Sequence, residues 1–234
     1  MVIEKGAKVL YVEIVRAIYG MLEAALMWYR LFRTDLEEEG FKFHDYDPCI
    51  AFKDVEGSQH LVRFHVDDVL SSHEKAKVND EFALWAQKKY GTIKDVKVKR
   101  GKVFKFLGMV LDFSHAGECH VLQEDHVDDI VMSWPEEVKE TAKELTPCAS
   151  NHFERGEGKL LCNERREIFH TIAAKCLFIG NRSRPDILPT VSLLTSRVRE
   201  PNEDDWKKAR RLIQYLCNTK KLHLVLRWDG TKIA

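Results

Sequence analysis

The stretch FHVDDVL, residues 64–70, places two adjacent aspartates between residues that favour β-strands. This pattern predicts a hairpin with Asp67 and Asp68 near its tip. Two neighbouring carboxylates are unfavourable unless they are exposed or neutralised by a cation. A surface turn would explain them, because aspartate is a favoured turn residue. A magnesium site would also explain them, because Mg²⁺ prefers one or two carboxylates together with phosphate oxygens and water.

The tetrapeptide HVDD occurs a second time, within QEDHVDDIVMSW, residues 123–134. There Asp125 can cap a helix, and Asp128 and Asp129 add negative charge to its first turn, where the helix dipole favours it. The second copy therefore predicts a solvated helix start. The context of each copy, and not the tetrapeptide itself, assigns the candidate site to the first one.

The segments around the first copy predict a sheet packed with helices. Apolar residues recur at steps of three and four over residues 14–39, which predicts a helix that ends at Gly40. Short alternating runs over residues 41–66 predict antiparallel strands. A helix over residues 79–91 then separates this sheet from a second hairpin region over residues 102–123.

Helical periodicity dominates the second half of the chain. Apolar stripes over residues 168–179, 187–198 and 206–216 predict three helices, the last capped by Asn202. Residues 222–228, LHLVLRW, alternate as a final strand. A sheet-rich half followed by a helical half predicts the α+β class.

Composition excludes several classes of protein. The 37 basic and 37 acidic residues cancel, so any argument for nucleic acid must come from local patches. The six cysteines include no CxxC pair, and the charged amino terminus does not resemble a signal peptide, so we expect an intracellular protein with reduced thiols. No run approaches the roughly 18 apolar residues of a membrane span.

One local patch is strongly basic. Residues 88–105 contain a single acid, Asp95, and this strip favours either contact with nucleic-acid phosphates or a solvated charged face. Its cationic residues are Lys88, Lys89, Lys94, Lys97, Lys99, Arg100, Lys102 and Lys105.

Several landmarks together resemble the reverse transcriptase of copia-type long-terminal-repeat retrotransposons. In order along the chain they are YGMLEAALMWYR, YDPC, FHVDD, FLG, and RPDI followed by W, A.R and YL..T in the helical half. The resemblance covers nearly the whole chain. It implies a right-hand polymerase, with an antiparallel palm sheet and packed helices followed by a helical thumb or connection.

The resemblance also implies a division of the chain. Residues 1–123 would form partial fingers and palm, with the catalytic hairpin and a primer-grip-like hairpin. Residues 124–220 would form the thumb or connection, and residues 221–234 a strand leading toward an RNase H domain that begins where this sequence stops.

The implied activity is RNA-directed DNA synthesis with Mg²⁺ or Mn²⁺, on an RNA/DNA template-primer and deoxynucleoside triphosphates. Asp67 and Asp68 would be the catalytic and metal-binding residues, and Tyr19 and Gly20 would bind the nucleotide. No membrane partner is implied. Other segments of the polyprotein are possible partners, and a cytoplasmic virus-like particle or the nucleus is the expected location. The nucleic-acid-binding residues would be His65, Phe106, Leu107, Gly108, Lys97, Lys99, Arg100 and Lys102.

Three departures from the family pattern favour an alternative. The strand that carries the family's third catalytic aspartate would lie upstream of the first helix and is missing here. The family's Lys-Gln pair is replaced by Leu22 and Glu23, and the motif tyrosine by His65. The alternative is a catalytically inactive, truncated remnant with at most a nucleic-acid-binding or structural role.

Overall fold

A computed structural model describes residues 2–4, 7–10, 13, 18, 21–138, 145–154 and 156–230, and it has α+β architecture with antiparallel sheets. Contacts divide the chain into two compact units, residues 1–98 with 231–234, and residues 99–230. The boundaries predicted at 123/124 and 220/221 separate the domains that the resemblance implies, and they stay predictions. None of the described helices combines the length and apolar character that a bilayer-spanning segment needs.

The described residues of the first unit form two groups of strands and two helices. A two-stranded antiparallel pair precedes a four-stranded antiparallel sheet of order β3-β4-β5-β6. The elements are β1 (Val2–Glu4), β2 (Ala7–Val9), α1 (Leu22–Glu38), β3 (Lys42–Phe43), β4 (Ile50–Val55), β5 (Ser58–His65), β6 (Asp68–Ser72) and α2 (Ala76–Tyr90).

The core of the first unit lies between one face of the four-stranded sheet and the two helices. Alternation along β5 buries Val62 and Phe64, while Arg63 and His65 are exposed on the opposite face, as the sequence predicted. The buried apolar residues of this core are Phe32, Leu36, Phe41, Ala51, Val62 and Phe64, with Trp28, Tyr29, Phe82, Trp85 and Tyr90 packed against them.

The end of α1 follows from its glycine. Gly40 has φ +82°, a conformation that glycine adopts without steric penalty. The Gly40 amide donates to the Glu37 carbonyl and the Phe41 amide to the Leu36 carbonyl, both at 3.0 Å. These two bonds form a Schellman motif, so the predicted helix end at Gly40 is confirmed.

The second unit packs a four-stranded antiparallel sheet of order β10-β9-β8-β7 with a group of helices. The run 102–113, predicted as one arm of a hairpin, is itself a tight hairpin of two strands. The elements are β7 (Val103–Phe106), β8 (Met109–Asp112), β9 (Glu118–Leu122), α3 (Glu124–Ser133), α4 (Asn163–Gly180), a 3₁₀ turn (Pro185–Ile187), α5 (Leu188–Arg197), α6 (Glu203–Asn218) and β10 (Leu224–Arg227).

The predicted cap of the last helix is confirmed. The Asn202 side chain accepts hydrogen bonds from the amides of Asp204 and Asp205, both at 3.0 Å. The Asp205 carboxylate in turn accepts from the Asn202 amide at 3.0 Å, which completes a capping box.

A buried arginine connects the helices of the second unit. Arg184 is 1% exposed and donates to both oxygens of Asp186 at 2.9 and 2.8 Å. It also donates to the Thr219 carbonyl and hydroxyl at 3.1 and 2.8 Å, and the Tyr215 hydroxyl donates to Asp186 at 2.8 Å. Burial raises the pKa of Asp186, but the hydrogen bonds from Arg184 and Tyr215 outweigh it and the net pKa is lowered.

Candidate active site

The first HVDD forms a two-residue hairpin turn between β5 and β6. His65 pairs with Asp68 across the strands, so Val66 and Asp67 are the two turn residues. Val66 has φ +53°, whereas Asp67 does not have a positive φ. This is the φ pattern of a type II′ turn, whose first position normally holds glycine. A β-branched residue there is strained, by about 1–3 kcal/mol.

The turn presents both carboxylates to solvent. Directly paired residues of antiparallel strands point to the same face, so Asp68 shares the exposed face of the sheet with His65. Asp67 is exposed at the tip of the hairpin. Both predicted ligands therefore lie at one end of the hairpin and are exposed to solvent.

Neither carboxylate is neutralised by a residue that the structure describes. Within the described ranges, Asp67 and Asp68 make no side-chain hydrogen bond and no ion pair. No cluster of three or more His, Cys, Asp or Glu in that part of the chain could hold a metal ion. Mg²⁺ usually binds one or two protein carboxylates, and phosphate oxygens and water supply its other ligands. Two free carboxylates are therefore enough for such a site.

A tryptophan of α1 holds the turn from the core side. Trp28 Nε1 donates to the carbonyl oxygen of Val66 at 2.5 Å. The Trp28 ring stacks on Phe32 with centroids 5.4 Å apart and meets the edge of Tyr90 at 5.1 Å. Trp28 belongs to the landmark YGMLEAALMWYR, and no local sequence pattern indicates this contact.

The second HVDD lies in helix α3, and its acids are paired. Asp128 accepts from Lys220 at 2.5 Å and Asp129 from Lys175 at 2.8 Å. The predicted helix is confirmed, but Asp125 is not its cap, and Asp128 and Asp129 lie beyond its first turn. The cap position belongs to Gln123, and Asp125 lies in the first turn, where it pairs with Lys105 at 3.0 Å.

The FLG segment is a tight hairpin of the second unit. Leu107 and Gly108 have φ +50° and +76°, the pattern of a type I′ turn. The side chain of Phe106 is 7% exposed, so it packs inside the unit, and Gly108 is the exposed part of the turn. A Cβ on Gly108 would lie 3.1 Å from Cζ of Phe178.

A glutamine fixes this turn to the helices of the second unit. Gln123 donates to the Gly108 carbonyl at 3.1 Å and accepts from the Ser183 hydroxyl at 2.8 Å. Gln123 and Ser183 are both buried, so the bond between them is shielded from water.

The middle of the predicted basic strip, residues 91–102, lies outside helices and strands, whereas Lys88 and Lys89 lie in α2 and Lys105 lies in β7, where it pairs with Asp125. Lys97 belongs to the first unit, and Lys99, Arg100 and Lys102 belong to the second. All four are exposed and lie outside helices and strands. In the described portion of the chain, the side chains of Lys97, Lys99 and Lys102 have no ion-pair partner. The two predicted nucleotide-binding residues, Tyr19 and Gly20, lie outside the described residues.

Comparison with known proteins supports the predicted origin. The chain is 28% identical over 234 residues to the putative transposon Ty5-1 protein of Saccharomyces cerevisiae, covering 95% of this chain and 69% of that protein. It is 21% identical over 225 residues to the retrovirus-related Pol polyprotein from transposon TNT 1-94 of Nicotiana tabacum, covering 92% of this chain and 16% of that polyprotein. No family model matches the chain, and no solved structure matches it significantly.

These similarities identify the class to which the chain is related, the proteins encoded by transposons. Both relatives are named as transposon proteins, one of them a retrovirus-related Pol polyprotein, and the similarity to them supports the predicted copia-type retrotransposon origin. The predicted relation to transposon-encoded proteins is confirmed at this level. Reverse transcription itself stays a prediction.

Proposed function

We propose that this chain is the reverse transcriptase segment of a copia-type polyprotein. The first unit would be palm-like and the helices of the second unit thumb-like. The observation that carries the proposal is the strained β5–β6 hairpin, which presents Asp67 and Asp68 to solvent without protein partners among the described residues. Free, adjacent carboxylates at a rigid turn are suited to bind a divalent cation together with phosphate oxygens.

Asp67 and Asp68 would hold Mg²⁺ or Mn²⁺ at the tip of the hairpin. Bound divalent cations would activate the primer 3′ hydroxyl and neutralise charge on the leaving phosphate. His65 lies on the same face as Asp68 and would donate a hydrogen bond to the nucleic acid. The contribution of the hairpin is to keep these three side chains in a fixed relation.

The basic strip would bind the phosphates of an RNA/DNA template-primer. Lys97, Lys99 and Lys102 are exposed and unpaired within the described ranges, so binding a phosphate breaks no internal ion pair. At the FLG turn, the backbone of Gly108 is the exposed group that would approach the primer. Phe106 would act indirectly, by holding that turn from the interior.

A second candidate function is nucleic-acid binding without turnover. It is favoured by the absence of a third carboxylate near Asp67 and Asp68 in the described residues. Glu23 also favours it, because its exposed carboxylate in the first turn of α1 would repel a triphosphate bound there. This function needs the basic strip but not the aspartates.

Primer extension on an RNA template with a DNA primer tests the proposal, with Mg²⁺ or Mn²⁺ present. Asp67→Asn and Asp68→Asn are expected to abolish extension. The matched control is Asp128→Asn, which alters the same tetrapeptide in α3 and is expected to retain extension. Extension that survives Asp67→Asn shows that the assigned site is wrong. A chain that binds the hybrid with salt-dependent affinity but never extends the primer supports the second candidate.

A further inference from the structure

The turn that carries the two aspartates has a conformation that its own residues do not favour. Val66 occupies the left-handed region at φ +53°, in a position where glycine is normal. A two-residue loop with negative φ at both positions would remove this strain but would splay the strands. The paired strands therefore favour the strained form, and a contact outside the hairpin adds to this.

The contact is made by a side chain 38 positions earlier in the chain. The indole N–H of Trp28 donates to the carbonyl oxygen of Val66 at 2.5 Å. That carbonyl belongs to the peptide group that joins Val66 to Asp67. Rotation of this peptide, which any change of turn type requires, would break the bond.

The indole is itself held in place. Trp28 lies against Phe32 with ring planes 11° apart and against Tyr90 at 67°. The Tyr90 hydroxyl donates to the buried carboxylate of Asp35, which also pairs with Lys89 at 2.6 Å. Both helices of the first unit thus contribute to the position of one hydrogen-bond donor.

We propose that Trp28 is a positioning residue that fixes the peptide between Val66 and Asp67 and so sets the arrangement of Asp67 and Asp68 for a divalent cation and phosphate oxygens. The metal-binding part of this inference rests on the proposed function. The fixing of the turn does not depend on it, because the hydrogen bond and the strain belong to the protein alone.

The test uses the full chain with Trp28→Phe, which keeps an aromatic ring against Phe32 and Tyr90 but removes the donor. We expect amide hydrogen exchange of residues 64–69 to rise about tenfold and Mn²⁺ affinity to fall by about the same factor, since both depend on one hydrogen bond. The matched control is Trp206→Phe, which removes the indole bond of Trp206 to Glu136 (2.7 Å) in the second unit. It should leave both quantities unchanged.

A second variant separates positioning from general packing. Val66→Gly allows the left-handed conformation without strain, so in this background Trp28→Phe should lose most of its effect on exchange and on Mn²⁺ affinity. A role in packing alone would not be rescued in this way. Failure of the rescue, unchanged exchange in Trp28→Phe, or equal effects of the two tryptophan variants would overturn the proposal.

The two proposals fail in different ways. If the unaltered chain does not bind Mn²⁺, the proposed function is wrong and so is the metal-positioning role. The exchange data and the rescue still show whether Trp28 fixes the turn.

Discussion

Acid is expected to destabilise the first unit through one buried histidine. His60 lies on β5, is 2% exposed and packs against the rings of Phe41 and Phe82. Its Nε2 lies 2.9 Å from the Ser71 hydroxyl, and that hydroxyl donates to Asn79 at 2.8 Å. Nε2 must therefore carry the proton, and Nδ1 is buried without a hydrogen-bond partner among the described residues.

The direction and size of the effect follow from the pKa of His60. Burial, with smaller contributions from Lys53 and His73, lowers this pKa from 6.5 to about 4. Between these two values the unfolded chain binds more protons than the folded chain, so stability falls as the pH drops from 6.5 toward 4 and is constant above 6.5. The full difference corresponds to about 3 kcal/mol.

Urea unfolding between pH 7.5 and 4 measures the effect, with hydrogen exchange of peptides from residues 41–90 reporting on the first unit. His60→Gln is the comparison, because glutamine retains a donor for Ser71 but does not titrate. We expect this variant to be less stable at neutral pH and to lose about 3 kcal/mol less on acidification. Parallel pH profiles for the two proteins would refute the reasoning, since the carboxylates titrate in both.

Three further outcomes are expected. Gly108→Ala should destabilise the second unit by about 1–3 kcal/mol, because alanine is strained at φ +76° and its Cβ would press on Phe178; an unchanged melting temperature would contradict this. Arg184→Met should destabilise the same unit by about 3–5 kcal/mol, since Asp186 is left without its buried partner; urea unfolding measures it, and a decrease below about 1 kcal/mol counts against the account. Replacing three lysines of the basic strip with alanine should reduce the slope of log K against log salt concentration for hybrid binding by about one for each phosphate that is no longer neutralised, without changing sequence preference. An unchanged slope would exclude the strip as the phosphate-binding surface. The residues replaced are Lys97, Lys99 and Lys102.

The sequence predicts the four-stranded sheet, the end of α1 and helix α2 of the first unit, because their signals are local, whereas α1 begins at Leu22 and not near residue 14, and β1 and β2 were not predicted. Alternation along β5 identifies the buried face, and Gly40 marks the end of α1. The two copies of HVDD are separated correctly by their neighbours, since strand-forming residues surround one and an amphipathic helix contains the other.

The details of the candidate site were less predictable, because they depend on register and on distant contacts. The strain at Val66 becomes visible only when His65 is known to pair with Asp68. The hydrogen bond from Trp28 links positions 38 residues apart, and no local pattern indicates it. Asp125 was assigned as a cap because its residue type favours that role, but the helix begins one residue before it.

Strand β10 completes its sheet by pairing with β9, although about a hundred residues of helices and loops separate the two in the chain. During synthesis at roughly 5–20 residues per second, β9 would leave the ribosome several seconds before its neighbour is made. In that interval β9 can pair with β8, but the backbone amides and carbonyls on its other edge are open to strands of other chains. Chaperone binding to nascent chains is therefore expected to peak after β9 emerges and to fall once β10 is available.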